Sequence, residues 1–174
     1  VGTSSPRRTA QLLRLRPDLE ITLFRGNVAT RLGKLDAGEA DATLLAAAGL
    51  DRLNMSDVGV AISQDEMLPA PAQGAIGIET LGTNERVRAL LAPINHVPTF
   101  RCVMAERAFL AALDADCHSP VGAQARLKDD VLRIRGEILM PDGSACEAGD
   151  SEDPAALARD LLARASPDLR AIFG

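Results

Sequence analysis

The apolar positions of this 174-residue chain follow two different rhythms. Over the first third, short runs rich in β-branched and aromatic residues alternate with helical periods. Residues 19–24 (LEITLF), 41–45 (DATLL) and 58–63 (VGVAIS) predict strands. Ser5 reads as an N-cap and Pro6 as the first residue of a helix that carries Leu12, Leu13 and Leu15 on a broad face and stops before Pro17. Asn27 opens a second helix to Ala37, closed by Gly38, and residues 46–53 continue the 41–45 strand as a helical turn bearing Arg52. Such alternation predicts parallel pairing with right-handed crossovers, hence an α/β lobe. Ligands of these sheets gather beyond the carboxyl ends of the strands.

The texture then changes. Residues 68–80 (LPAPAQGAIGIET) combine two prolines and two glycines with an alternating strand at 75–79, which predicts a crossing between lobes with Gln73 and Gly74 at the junction. Residues 84–91 predict a short helix. Thr99 should cap a long helix over 100–113, with Val103, Phe109, Leu110 and Leu113 on its buried side. Residues 120–127 and 130–139 alternate as strands, and the turn Met140-Pro141-Asp142-Gly143 leads to a third at 144–148. Asp153-Pro154 opens a closing helix through Ala165. The expected organisation is an α/β lobe over 1–65, a return and hinge segment over 66–94, and a small antiparallel α+β domain over 95–174.

Composition narrows the class. With 47% hydrophobic and 25% charged residues the chain reads as globular, and no apolar run approaches the ~20 residues of a membrane span. No secretory pattern is visible, so a cytoplasmic setting without membrane contact is expected. The chain opens with Val1-Gly2 at what reads as a strand end, the expectation for a fragment lacking an N-terminal portion. Cys102, Cys117 and Cys146 are odd in number and widely spaced, which disfavours disulfides and offers no metal pattern. The net charge of −5 hides a segregation: residues 1–35 hold seven Arg/Lys against two Asp/Glu. An acidic chain without Trp or Tyr argues against nucleic acid and for a focused small-anion site.

Two stretches share one construction. GTSSPRR (residues 2–8) and FRGNVATR (residues 24–31) each place a capping residue, Ser5 or Asn27, where a strand gives way to a helix. Each adds arginines beside the first turn: Arg7 and Arg8, then Arg25 and Arg31. Free N–H groups and the positive helix end already attract anions there, so added arginines suggest a ligand with several negative groups. Arg52 follows the 41–45 strand by the same logic, with a surface pair to Asp51 or Asp57 as the alternative. His96 and His118 lack the partners of a triad or metal site. Cys117 lies in a loop, DADCHSPVGA (residues 114–123), where composition alone describes an ordinary thiol and the alternative is a nucleophile or attachment point.

GTSSPRR, then RPDLEITLFRGNVATRLGKLDAGEADATLLAAAGLDRL, then LPAPAQGAIGIE, then the CHSPVG loop stand in the order found in the porphobilinogen deaminase (hydroxymethylbilane synthase) family. The chain resembles that family closely over residues 1 to about 125 and loosely beyond. The resemblance implies a lobe like those of type II periplasmic binding proteins, joined to a small α+β domain with a three-stranded antiparallel sheet. It implies a transferase that joins four porphobilinogen units, releases ammonia and yields hydroxymethylbilane, with a dipyrromethane cofactor held by a thioether to Cys117. Arg7, Arg8, Arg25, Arg31 and Arg52 then match arginines that hold acetate and propionate groups, Thr3, Ser4 and Ser5 match contacts near the cofactor, and Gln73 matches a residue near the interdomain cleft. The family's catalytic aspartate matches nothing here, so these residues alone are expected to be inactive, and the parent to be a monomer. A non-catalytic module for small carboxylates or phosphates is the alternative.

Overall fold

The computed structural model describes residues 1–173. Its N-terminal lobe is organised around Gly2. The chain there bridges in parallel to Thr22 on one side and Thr43 on the other. Gly2 N–H donates to the Ala42 carbonyl at 2.8 Å, Thr3 N–H to the Thr22 carbonyl at 2.9 Å, and Thr22 N–H to the Val1 carbonyl at 2.9 Å. Gly2 must be glycine, because a Cβ would stand 2.4 Å from the Phe24 ring. Each bridging segment runs into a helix: α1 (Pro6–Leu15), α2 (Val28–Asp36) and α3 (Ala47–Arg52). The Ser5 hydroxyl accepts from Arg8 N–H at 3.4 Å and the Asn27 side chain from Thr30 N–H at 2.9 Å, the capping that these residue types favour.

The parallel pairing expected for this lobe is present, but three of its strands are not. Residues 19–24 and 41–45 contribute single bridges, since the central segment offers only Val1 to Thr3 for pairing before Ser5 turns into α1. Residues 58–63 form no strand, and neither do residues 75–79. Residues 59–62 and 76–80 make no backbone hydrogen bond to the described residues, and Val60, Ile62, Ile76 and Ile78 lie exposed. Alternating apolar sequence needs a neighbouring strand before it becomes sheet.

Beyond α4 (Glu85–Leu91) and a 3-10 turn (Ala92–Ile94), the chain builds a second core. Helix α5 (Val97–Ala112) starts before the expected Phe100 because Pro98 fits its first turn, and His96 rather than Thr99 stands at the cap. Strands β1 (Val121–Lys128), β2 (Val131–Leu139) and β3 (Cys146–Ser151) form an antiparallel sheet in that order. Asp129 and Asp130, both at positive φ (51° and 62°), make the tight β1–β2 turn. Helices α6 (Pro154–Arg164) and α7 (Pro167–Arg170) close the domain. Phe109, Leu113, Ile134, Ile138, Leu157 and Leu161 are fully or nearly fully buried between helices and sheet. Gly136 admits the Phe109 ring, which a Cβ would meet at 2.5 Å. Val103 and Leu110, expected on the buried side of α5, are only half-buried, whereas Ala105 and Glu106 are buried.

The two cores are joined mainly through polar groups. Glu106 accepts N–H groups from Ala72 (2.5 Å) and Ala125 (2.7 Å), so one carboxylate ties the 68–74 crossing to β1. Ala123 N–H donates to the Pro69 carbonyl at 3.0 Å. Gly143 rests on the last turn of α1, with room for no Cβ: the Arg14 nitrogen would be 2.3 Å away.

Candidate functional site

Because the three bridged segments run parallel, α1, α2 and α3 all begin beyond their carboxyl ends. The two arginine-bearing entrances meet there. Arg31 on α2 reaches across to α1's approach: its Nη2 donates to Ser4 Oγ at 3.2 Å and its Nε to the Gly26 carbonyl at 3.0 Å. Arg8 donates to the Leu44 carbonyl at 2.5 Å. Its pKa is lowered, first by burial and then by the charge of Arg31. Two guanidinium groups near enough to repel favour a negative partner between them. Thr3 is buried and its hydroxyl accepts from Ser5 N–H at 3.2 Å, shaping the turn rather than presenting a free hydroxyl. Arg25 is exposed and makes no hydrogen bond or ion pair among the described residues.

Arg7 behaves differently from its neighbour. It is only 5% exposed and points toward the second core. Its Nη1 donates to Gln11 Oε1 at 2.7 Å and to the Leu68 carbonyl at 2.6 Å, and its Nη2 makes a long contact, 3.4 Å, with Gln73 Oε1. Its Nε is buried without a partner. Burial first, and then Arg8, lower its pKa to about 10, while Glu137 acts in the opposite sense. Nε is the one unsatisfied donor of this buried cluster, and a carboxylate would satisfy it. The donor set therefore fits a group that carries several carboxylates.

Arg52 and Gln73 stand together at the crossing, apart from the Arg8 and Arg31 pair. Arg52 donates to the Gly74 carbonyl at 2.7 Å, and neither Asp51 nor Asp57 pairs with it. It also lines an open cavity of about 850 Å³ whose walls include Arg88, Arg107, Ile76, Ile94 and Phe100. None of the other candidate residues lines that space.

Cys117 is exposed on the loop between α5 and β1. Asp116 shapes this loop: its carboxylate accepts from His118 N–H (2.8 Å) and Ser119 Oγ (3.2 Å). Those bonds, His118 N–H first, lower the Asp116 pKa. No hydrogen bond joins residues 114–119 to either arginine entrance. Among the described residues no group of three or more His, Cys, Asp or Glu is placed to hold a metal ion, and no helix is long and apolar enough to cross a membrane.

Three buried polar residues, two linked to Arg7 and one tying the crossing to β1, carry little or no sequence signal. Gln11 had a usable signal, one helical turn after Arg7 on the same face. Glu106 and Glu137 had none, because each partner lies far away in the chain.

The arrangement is an arginine-rich α/β lobe joined to an α+β domain with a cysteine loop. Residues 1–89 match the family model described as "Porphobilinogen deaminase, dipyromethane cofactor binding domain", and residues 100–169 match "Porphobilinogen deaminase, C-terminal domain". The chain belongs to the porphobilinogen deaminase family. It is 56% identical to a porphobilinogen deaminase of Sphingopyxis alaskensis, over 99% of this chain and 57% of that protein. It is 51% identical to the Paracoccus denitrificans protein of the same name (97% of this chain, 56% of that one) and 47% to that of Nitrobacter hamburgensis (99% and 58%). The chain thus spans little more than half the length of these relatives. None of these matches favours the non-catalytic module.

Proposed function

We propose that this chain is the cofactor-holding and C-terminal part of a hydroxymethylbilane synthase. The whole enzyme would condense four porphobilinogen units with release of ammonia, in the cytoplasm, as a monomer, for tetrapyrrole and haem biosynthesis. The domain division 1–65, 66–94 and 95–174 goes with this reading, the first being one lobe of a periplasmic-binding-protein-like pair. A dipyrromethane joined through a thioether to Cys117 would supply the free pyrrole carbon at which the chain grows. Each pyrrole brings two carboxylates, and the residues here are suited to neutralise them. Arg8 and Arg31, with Ser4, grip from the two helix entrances; Arg7 offers its unpaired edge; Arg25 is an arm free to close on the ligand. Arg52 and Gln73 serve the crossing, while Thr3 and Ser5 hold the turn that aims the arginines.

The observation that carries this reading is that Arg31 reaches across to Ser4 at the approach to α1, so that both arginine-bearing helix starts share one sheet edge. Elongation also needs a carboxylate to move protons and offset charge on pyrrole nitrogens, and no residue of this chain is assigned that role. The 174-residue chain by itself should therefore release no ammonia from porphobilinogen. In the full-length protein, the double reversal Arg8→Glu with Arg31→Glu should lower turnover at least about a hundredfold, from two lost charge-assisted contacts of ~1.5–3 kcal/mol each. Ammonia release and bilane absorbance measure both. Undiminished turnover in the double variant would refute the assignment.

A further inference from the structure

Arg7 owes its orientation to a side chain of the other core. Gln11 Nε2 donates to Glu137 on β2, across 126 positions of sequence, and to the Leu68 carbonyl at 2.9 Å. Gln11 Oε1 in turn accepts from Arg7 Nη1. Arg7, Gln11 and Glu137 are all buried, in a cluster where each polar atom but Arg7 Nε is satisfied. Space for this chain of bonds is reserved on the neighbouring strand. A Cβ on Gly122 would meet Glu137 Oε1 at 2.8 Å and Leu68 Cβ at 3.0 Å. Glu137 sits directly opposite Gly122 in the β1–β2 register.

The chemistry of guanidinium gives this arrangement a direction. Arginine binds carboxylate bidentately through parallel N–H groups, and Nε with Nη2 is one such edge. In Arg7 the two strong bonds both leave from Nη1. The Nε–Nη2 edge keeps only the 3.4 Å contact to Gln73. We infer that Glu137, acting through Gln11, is a positioning residue that holds Arg7 by Nη1 so that its Nε–Nη2 edge is presented to a ligand carboxylate. Glu137 touches no ligand itself. Since β2 pairs along its length with the strand that follows the Cys117 loop, the same bonds register the anion entrance against the cysteine-bearing domain. Without the carboxylate, Gln11 Nε2 is left with the Leu68 carbonyl alone, and the buried guanidinium loses the negative group that offsets its burial. This inference rests on the functional reading above.

The test compares wild type, Glu137→Gln and the double variant Gln11→Glu with Glu137→Gln in the full-length protein. The amide at 137 preserves shape and removes charge; the double variant moves the carboxylate one bond nearer Arg7. Two readouts are taken: the KM and kcat for porphobilinogen, and the NMR shift of the Arg7 Nε–H on adding porphobilinogen, assigned with Arg7→Lys. Glu137→Gln should raise KM about fivefold with kcat within about twofold, and weaken the Arg7 titration by a similar factor. The double variant should restore both to within about twofold of wild type, which a packing role would not do. Normal turnover with Glu137→Gln equal to wild type in both readouts overturns the inference and leaves the functional reading standing. A wild type whose Arg7 signal titrates in the Glu137-dependent way but which releases no ammonia has the reverse meaning. Failure of the double variant to recover either readout also counts against the inference.

Discussion

The two cores of this chain are held together by different means. The α+β domain closes on itself: a paired sheet, three covering helices and a run of large apolar side chains almost wholly out of solvent. The N-terminal lobe with the return segment, residues 1–94, buries only Ala10, Phe24, Leu50 and Leu68 among its apolar side chains. It then leaves Val60 93% and Ile76 77% exposed. Its order comes from caps, from the parallel bridges at Gly2 and from polar ties to the other domain through Glu106 and Glu137. A self-sufficient core supports a cysteine loop well, because the loop is anchored at both ends by α5 and β1. The lobe's arginines are instead placed by polar ties to that anchor.

The largest loss is expected from Phe109→Ala. Phe109 is completely buried against Gly136 and the α6 face, so its truncation should cost about 3–5 kcal/mol. Urea unfolding followed by the amide signals of β1–β3 should show this loss. A cost below about 1 kcal/mol would mean that the α+β core is not closed in the way described.

Glu106 tests the tie between the cores. Burial raises its pKa, with the N–H groups of Ala125 and Ala72 opposing. A carboxyl with a raised folded value favours folding in its protonated form. Its contribution is complete below the ordinary glutamate value and is lost as pH rises through the raised one. Wild type should therefore gain stability relative to Glu106→Gln on acidification through that window, read as the difference between their urea midpoints. A difference that stays constant, or shrinks as pH falls, would contradict the sign.

The smallest effects are expected where the lobe faces outward. Val60→Ser and Ile78→Ser should each change the stability of this chain by no more than about 0.5 kcal/mol, whereas serine at the fully buried Ile134 should cost several times that. Equal losses at all three positions would erase the contrast between the regions.

Local chemistry was legible wherever one residue decides the outcome. Ser5, Asn27, Asn84 and Asp153 stand at the helix starts they were read to mark, each with a side chain accepting a backbone N–H. The β1–β2 hairpin was legible for the same reason, from alternation on both sides of a short turn. The lobe's strands were not, because β-branched runs at 19–24, 41–45 and 58–63 state a preference that only a neighbouring strand can realise. Third-strand placement slipped from 144–148 to Cys146–Ser151 because the Met140–Ala145 turn is wider than read; Met140 N–H donates to the Ala145 carbonyl at 2.9 Å. In the site, the arginines could be seen as a charge pattern. Which of them would be spent internally could not, since Arg7 is held by Leu68, Gln73 and, through Gln11, by Glu137.

The central claim is that these entrances serve an anionic pyrrole oligomer tethered at Cys117. Its most direct test is the intact mass of the full-length protein purified under native conditions, beside that of Cys117→Ser. Wild type should be heavier than its sequence by a dipyrromethane, with the extra mass on the peptide holding Cys117 and absent from the serine variant. A wild type at its sequence mass that still makes bilane would contradict it.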